Sequence, residues 1–240
     1  MFARFPLWMA PSPLARRVVP FAVFTALTAL QGSLGLGEGS RYWIYLLKTL
    51  LGAWMVWVLW KELPECRWAV SWEAIAVGVL IFALWVGLEG HYPSLSDLFS
   101  RLGMGKGDSA ENLPQPWNPH AYFGSGSVLA WMFIGMRIAG TTLVVPPIEE
   151  VFYRSFLYRY LADPKWETVP LNRWSPVAFL ITCAAFGIVH KEWLPGILCG
   201  AAYQGLVLRK NRLGDAMTAH AITNLLLGIW VAWKAAWNFW

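Results

Sequence analysis

Long apolar stretches separated by short polar segments run along most of the chain. Seven of these stretches match or approach the length of a membrane span, at about 18–36, 42–60, 74–88, 138–162, 175–192, 193–208 and 215–235. A helix needs roughly 20 apolar residues to cross the hydrocarbon core, which the shorter stretches reach only with their flanking aromatic residues. The pattern predicts an all-α, polytopic membrane protein with about seven transmembrane helices, seven to eight in all.

The segment 126–161 decides between seven and eight spans. It is apolar over 36 residues, about 54 Å as a straight helix, which is too long for one crossing. Pro146 and Pro147 interrupt it, and adjacent prolines remove backbone donors and kink or break a helix. We expect residues 127–137 at the outer interface and a span at 138–162, whereas a sharper break would give two short helices.

One long polar stretch, at 89–125, is rich in Gly, Pro, Ser and Asp. We expect an outer loop with a short helix near Leu95 to Leu102. The loop is either a surface connector or a cover for a functional site, and the sequence does not separate these alternatives. Since no internal repeat is present, residues 1–240 form a single integral membrane domain, with N-terminal spans and the outer loop in 1–125.

Composition agrees with this membrane assignment. Hydrophobic residues make up 57% of the chain, and charged residues make up only 14%; soluble domains carry about 25% charged residues. Many of the 17 tryptophans lie near predicted span ends, as in an aromatic belt. Cys66, Cys183 and Cys199 lack metal-type spacing, so we expect neither a metal site built on them nor a disulfide framework.

The positive charges are distributed by loop. With the N-terminus inside, eleven Lys and Arg residues fall in inner segments and five in outer segments, in agreement with the positive-inside rule. The net charge of +5 therefore indicates a membrane topology and not nucleic-acid binding. We predict a multi-pass protein of the cell (inner) membrane with a cytoplasmic N-terminus, whose basic first 17 residues belong to an uncleaved anchor.

Glu149, Glu150 and Arg154 lie well inside the predicted span at 138–162. Each costs about 2.5–3.5 kcal/mol at the centre of a spanning helix unless it is paired or wetted. Glu150 and Arg154 stand at i and i+4, on one helix face and in the favourable order for an ion pair. Glu149 points about 100° away and lacks that partner. Both carboxylates are expected in the first turn of a helix that begins after the prolines.

Two predicted downstream spans each carry a histidine in a pair with the same spacing, namely Phe186 with His190 and His220 with Asn224. Counted from the inner ends of their spans, Asn224, Glu149 and His190 rise about 14–21 Å, the central part of a 30 Å core. His220 lies one turn from Asn224. We therefore expect Glu149, His190, His220 and Asn224 to meet in one cavity.

These four side chains have the chemistry to hydrolyse a peptide bond. A desolvated glutamate and an imidazole can activate a water molecule, while a second imidazole and an amide can stabilise an oxyanion. The sequence contains neither GxSxG nor HExxH, the signatures of serine hydrolases and of zinc proteases. Three alternatives stay open: a zinc site of Glu149, His190 and His220, a transporter or proton relay, and an idle scaffold or immunity factor.

Three motifs resemble the CPBP family, the intramembrane proteases that include CAAX-processing and bacteriocin-processing members. The family pattern EExxxR, FxxxH and HxxxN reads here as EEVFYR at 149–154, FGIVH at 186–190 and HAITN at 220–224. The resemblance covers about 137–230. It implies a CAAX-protease-like helical bundle with a catalytic core in 126–240, and a glutamic-type endopeptidase without a metal or other cofactor.

The resemblance also implies residue roles. Glu149 and His190 would activate water, His220 and Asn224 would stabilise the oxyanion, and Glu150, Arg154 and Phe186 would support the site. The substrate would be a membrane-bound or lipidated protein. The stretch 137–161 and the ending WNFW resemble a subgroup associated with bacterial exosortase systems, which adds such a sorting system to the expected partners.

Arg137 is expected to pair with Glu149 or Glu150, or to reach the outer interface.

Overall fold

Helices are the only regular secondary structure in the computed structural model, which describes residues 12–33, 37–104 and 116–240. In chain order they are α1 (Pro13–Ser33), α2 (Ser40–Glu62), α3 (Trp72–Gly87), α4 (Leu95–Arg101), α5 (Pro119–Phe123), α6 (Val128–Leu143), α7 (Val145–Glu150), a π-helix (Val151–Leu157), α8 (Tyr158–Ala162), α9 (Pro176–Ile188), α10 (Trp193–Lys210) and α11 (Gly214–Lys234). Short 3₁₀ turns lie at Pro64–Cys66, Trp166–Thr168 and Trp237–Phe239. The all-α prediction is confirmed.

Four helical segments are long and apolar enough to cross a bilayer, namely Pro13–Gln31, Ser40–Glu62, Val128–Ala162 and Gly214–Lys234. Trp72–Gly87 and Pro176–Ile188 are shorter apolar helices. Each of the seven predicted stretches overlaps a helix, while the number of crossings stays a prediction. The first part of the predicted anchor, residues 1–11, lies outside the described residues.

The outward faces of several helices are apolar. On α9, Val177, Leu180 and Ile181 are exposed, and on α2 Leu47 and Leu50 are exposed. Apolar faces of this kind are unfavourable in water and are solvated by lipid tails. Together with the apolar helices, they identify a multi-pass membrane protein.

One end of the bundle, which we call the Arg212 end, is held by polar contacts between α3, α10 and α11. Lys210 Nζ donates to Glu73 at 2.6 Å, which joins the end of α10 to the start of α3. Arg212 Nε donates to Asp215 at 2.5 Å, and Ser71 Oγ donates to the same carboxylate at 2.5 Å. These contacts fix where α11 begins.

The opposite end, which we call the Trp240 end, brings together three segments that are distant in sequence. Trp193 Nε1 donates to the Pro93 carbonyl at 2.9 Å, and the Tyr92 hydroxyl donates to Glu192. Burial and this hydrogen bond to Glu192 raise the pKa of Tyr92 above its ordinary value. Lys191 Nζ donates to the Asn238 carbonyl at 3.1 Å, which attaches the C-terminal turn to the α9–α10 connection.

The proline pair interrupts the long central helix, whose segments follow one another directly from Val128 to Ala162. Helix α6 begins at Val128 and so includes most of the residues expected at the outer interface, and the interruption falls at Val144. Pro146 and Pro147 occupy the first turn of α7, where their missing N–H groups cost little. The expected first-turn position of the two glutamates is therefore wrong, because α7 begins at Val145 and they close it.

Close helix packing places α3 of the N-terminal half against α11. A Cβ atom on Gly78 would lie 2.7 Å from the Ala219 carbonyl oxygen and 2.8 Å from Ile222 Cβ. Thr223 Oγ1 donates to the Gly78 carbonyl at 2.9 Å. A residue without a side chain allows this approach, so α3 forms a wall directly behind the helix that carries His220 and Asn224.

Candidate active site

A cavity of about 230 Å³ lies between α3, α6, α7, the α9–α10 connection and α11, towards the Trp240 end. Glu149, His190, His220 and Asn224 all line it. These are the four residues that the sequence predicted to meet. Trp85 of α3 also lines the cavity, so the site is not built by residues 126–240 alone.

Glu149 is the acid of this cavity that has no fixed partner. It is half-buried, and its Oε2 atom is shielded from solvent without a hydrogen-bond partner among the described residues. A shielded carboxylate oxygen without a partner is costly, unless a water molecule or a substrate completes its hydrogen bonding. Glu149 is therefore positioned to hold such a group.

Glu150, the next residue, is buried and paired on both oxygens. Its Oε2 lies 3.1 Å from Arg154 Nε, which is the predicted ion pair at i and i+4, although the angle is not that of a hydrogen bond. Its Oε1 accepts a hydrogen bond from His220 Nδ1 at 2.9 Å. The sequence predicted the contact with Arg154 but missed the contact with His220, which lies 70 residues away.

Arg154, the partner of Glu150, also contacts the neighbouring helices α9 and α10. Its Nη2 donates to the Gly200 carbonyl of α10 at 3.3 Å, and its guanidinium carbon lies 4.5 Å from the centre of the Phe186 ring. An arginine over an aromatic face gains a cation–π attraction. Phe186, the predicted supporting residue of the second motif, therefore contacts Arg154 with its ring.

The helical winding widens directly after Glu150, where the π-helix Val151–Leu157 begins. Single π-helical segments inside α-helices are often found at functional sites. Within this one, Ser155 accepts a hydrogen bond from Arg17 Nε at 2.9 Å and donates to Glu65. This network ties α1 and the Pro64–Cys66 turn to the segment that carries Arg154.

His190 lies just beyond the end of α9, in the turn that leads to α10. Its backbone N–H donates to the Gly187 carbonyl at 3.0 Å, and its Nδ1 donates to the Phe186 carbonyl at 2.6 Å. A carbonyl can only accept, so Nδ1 carries a proton, and the tautomer with this contact has its lone pair on Nε2. The Trp85 ring meets the imidazole edge to face at 5.7 Å.

His220 is buried and held from two sides. Glu150 accepts a hydrogen bond from its Nδ1, and the Tyr203 ring stacks on the imidazole at 5.2 Å between centroids. The Tyr203 hydroxyl in turn donates to Thr223 Oγ1 at 2.8 Å. Sequence reasoning missed Tyr203 and Thr223, since nothing in their local pattern distinguishes them from ordinary helix residues.

Asn224 is oriented by the central helix. Its Nδ2 donates to the Thr141 carbonyl at 2.7 Å. Because that carbonyl can only accept, the amide nitrogen must face it, and one further N–H stays available for another acceptor.

The first of the two alternatives for Arg137, a pairing with Glu149 or Glu150, is wrong. Arg137 pairs with neither Glu149 nor Glu150; its guanidinium carbon lies instead over three aromatic rings, 5.1 Å from the centroid of Tyr45, 4.5 Å from Trp117 and 5.1 Å from Trp240. We call these three residues the aromatic cage. Arg137 also lines the cavity.

The zinc alternative needs three ligands at one point. Within 12–33, 37–104 and 116–240, no group of three His, Cys, Asp or Glu side chains has an arrangement that could hold a metal ion. Glu149, His190 and His220 share the cavity wall without forming such a group.

One family model matches the chain. Residues 131–226 match the Rce1-like family, described as type II CAAX prenyl endopeptidase Rce1-like. The matched segment contains all three motifs and the seven residues to which the sequence assigned roles. The searches of the curated proteins and of the solved structures found no match.

Proposed function

Because residues 131–226 form an Rce1-like domain of the CPBP family, a family of membrane proteases, we propose that the protein hydrolyses a peptide bond by activating water with Glu149 and His190. The substrate is a membrane-bound or lipidated protein. The observation that carries the proposal is the convergence of Glu149, His190, His220 and Asn224 on one cavity of about 230 Å³.

In the first step, Glu149 acts as the general base. A water molecule donates one hydrogen bond to Glu149 and another to the free Nε2 of His190, while its oxygen attacks the carbonyl carbon of the scissile bond. The proton passes to Glu149, and the carbonyl oxygen becomes an oxyanion. Glu149 then returns the proton to the leaving amine as the C–N bond breaks. The products are a free carboxyl group and a free amine, and no covalent intermediate forms on the enzyme.

The oxyanion is stabilised by Asn224 and His220. Asn224 donates with the N–H that does not bind Thr141. The Nδ1–H of His220 donates a hydrogen bond to Glu150. Its Nε2 can therefore donate to the oxyanion only when the ring carries two protons. Donors of this kind each contribute about 10²–10³-fold in kcat.

The setting of the reaction is proposed from the motifs. The stretch 137–161 and the ending at Trp237 to Trp240 support a link to an exosortase-type sorting system that supplies the substrate. The distribution of Lys and Arg supports a cytoplasmic N-terminus for a protein that we place in the cell (inner) membrane.

The substitution Glu149→Gln tests the proposal. We expect cleavage of membrane proteins to fall by about 10²–10⁴-fold, without loss of insertion or folding. The measurement is comparative membrane peptidomics of cells that produce the wild type or the variant. Glu167→Gln, the same change at an exposed position, is the matched control and should leave the peptide profile unchanged. Identical profiles for wild type and Glu149→Gln would refute the assignment.

A chelation arm separates the glutamic mechanism from the zinc alternative. A substrate found by peptidomics is incubated with protein that has been stringently chelated and that metal analysis shows to contain no bound metal. We expect the rate of cleavage to be unchanged. Activity that disappears on chelation and returns with zinc would transfer the proposal to a metal site of Glu149, His190 and His220.

A further inference from the structure

The cavity is small for the substrate that the proposed function requires. Its volume of about 230 Å³ lies below the range of about 300–1,000 Å³ that is usual for ligand pockets. An endopeptidase holds peptide on both sides of the scissile bond, so its substrate needs more room than a small molecule does. A cavity wall that can move would supply that room.

Most of the cavity wall consists of helices that are fixed to one another. Helices α3 and α11 approach so closely at Gly78 that a Cβ atom there would clash with α11. Asn224 of α11 is bound to the Thr141 carbonyl of the central helix at 2.7 Å, and His220 of α11 is bound to Glu150. A displacement of α11 would break these contacts inside the bundle, where lost hydrogen bonds are costly.

The segment 236–240, which we call the lid, differs from the helical walls. It contributes Asn238, Phe239 and Trp240 to the cavity wall, yet none of its five residues is buried. Its regular structure is one 3₁₀ turn, Trp237–Phe239. Segments with exposed backbone and few buried contacts open at a low free-energy cost. The lid is therefore the part of the wall that opens most easily.

Two hydrogen bonds at the protein surface fasten the lid. Asn238 Nδ2 donates to the Glu89 carboxylate beyond the end of α3. The Asn238 carbonyl accepts a hydrogen bond from Lys191 Nζ, in the α9–α10 connection, at 3.1 Å. Both bonds are exposed, so water can replace either partner when the lid moves.

Two tryptophans attach the lid to the region of α5. The Trp237 ring meets the His120 ring edge to face at 5.7 Å between centroids, and the Trp240 ring meets the Trp117 ring in the same way at 5.6 Å. Aromatic pairs of this kind favour a defined geometry but have modest energies. The lid thus bridges three segments that are distant in sequence, through contacts that are each weak.

The chain reverses at Ala235, between α11 and the lid. Ala235 has φ 52° and ψ 33°, in the left-handed region where a residue with a Cβ atom is disfavoured. The Ala236 N–H donates to the Val231 carbonyl at 3.1 Å, a bond that closes a helix end. A rotation at Ala235 would release the left-handed conformation and lift the lid, while His220 and Asn224 stay in place on α11.

We infer that the lid closes the cavity in this structure and swings about Ala235 to admit the substrate and release the products. The inference deepens the proposed function and rests on it, because a peptide is what enters. It also assigns a role to the ending WNFW, in which Trp237 and Trp240 attach the lid and Asn238 fastens it.

The native cysteines allow a test that needs no substrate. Cys199 lines the cavity and is 2% exposed, so a reagent reaches its thiol only when the cavity opens. Cys66 and Cys183 are also buried but do not line the cavity, and their labelling reports a general loosening of the fold. The purified full chain is treated with N-ethylmaleimide, and mass spectrometry follows the labelling of each cysteine.

A cross-link between the lid and the end of α3 should block the labelling of Cys199. In the double variant Glu89→Cys with Asn238→Cys, a short bismethanethiosulfonate joins the two introduced thiols, which replace side chains that are in contact. Because labelling follows the population of the open form, we expect it to become at least about tenfold slower, and a reductant should restore the rate. The two single-cysteine variants cannot be bridged, so the same reagent should leave their rates unchanged.

A weakened lid should have the opposite effect. Asn238→Ala removes one fastening of the lid and should raise the labelling rate of Cys199 by about 2–10-fold, the factor that corresponds to one hydrogen bond. The labelling of the other two cysteines should not change. Asn172→Ala, the same change at an exposed asparagine near the Arg212 end, is the matched control and should label as the wild type does.

Equal labelling of Cys199 before and after cross-linking would overturn the inference, because the cavity then opens elsewhere. Parallel gains at all three cysteines in Asn238→Ala would also overturn it, since the whole fold would then have loosened.

A substrate found by peptidomics extends the test to substrate entry. Its cleavage should stop when the lid is cross-linked and return on reduction, and continued cleavage by the cross-linked protein would contradict the role of the lid. The protease assignment does not depend on these outcomes, because it is tested by Glu149→Gln. The labelling, in turn, requires no turnover, so the two proposals can fail separately.

Discussion

Glu149 and Glu150 are neighbours in the chain but lie in two different environments. The Glu150 cluster, formed by Glu150, Arg154 and His220, is buried and closed, with each carboxylate oxygen in contact with a cationic or proton-donating group. Glu149 lies on the cavity wall with one oxygen unpartnered. The comparison teaches that one helical segment can supply both the reactive acid and its scaffold, because consecutive side chains point about 100° apart.

The largest effect on stability is expected from Glu150→Gln. The change leaves the buried Arg154 guanidinium without its counter-charge, and losing one partner of a buried pair costs about 3–5 kcal/mol. Glu149→Gln removes no pairing and should change the free energy of unfolding by less than about 1 kcal/mol. Thermal denaturation of both variants in the same detergent measures the difference. Equal melting temperatures would show that the two carboxylates do not differ in this way.

A smaller effect, on activity, is expected from Asn224→Ala. Loss of one oxyanion donor should lower kcat by about 10²–10³-fold, and loss of the bond to Thr141 should destabilise the fold by about 1 kcal/mol. Thr218→Ala on the same helix is the matched control, because Thr218 Oγ1 also donates to a backbone carbonyl, that of Ala69 at 3.0 Å. The Thr218→Ala variant should lose about the same free energy of unfolding as Asn224→Ala but keep the kcat of the wild type. Equal kcat for the two variants would contradict the oxyanion role.

The smallest effect is expected from Tyr203→Phe. This change removes the buried hydrogen bond to Thr223 at 2.8 Å and keeps the ring that stacks on His220. Stability should fall by about 0.5–1.5 kcal/mol, with little change in kcat. Tyr203→Leu, which also removes the ring, should lower kcat because His220 loses one of its two supports. If Tyr203→Phe and Tyr203→Leu have the same kcat, the stacked ring does not orient His220.

Much of the fold and part of the candidate site follow from local pattern. The predicted helices are present because their apolar runs are long, and α4 lies where a short helix was expected. The contact between Glu150 and Arg154 was predictable because one helical turn sets it. The course of the central helix was less predictable: proline predicts an interruption, but whether the two halves stay aligned depends on the neighbouring helices.

The environments of Arg137 and His190 show where local pattern is insufficient. One of the two alternatives for Arg137 was a carboxylate partner, because opposite charges attract, but its observed contacts are aromatic rings from three distant segments. His190 was expected at the end of the helical span 175–192, but α9 ends at Ile188 and the contact with Phe186 is made by a turn. In both cases packing between segments far apart in sequence decides the outcome.

The sequence by itself determined the helices, the spacing of Glu150 with Arg154 and of His220 with Asn224 on two of them, and the choice of Glu149 as the acid without a partner on its own helix. These features depend on the rise and rotation of one helix, which any few consecutive residues specify. The tertiary structure alone decided that Glu150 holds His220, that Asn224 meets the Thr141 carbonyl and that Arg137 lies in an aromatic cage. Such contacts depend on how closely helices approach, as at Gly78, and that distance is a property of the packed bundle.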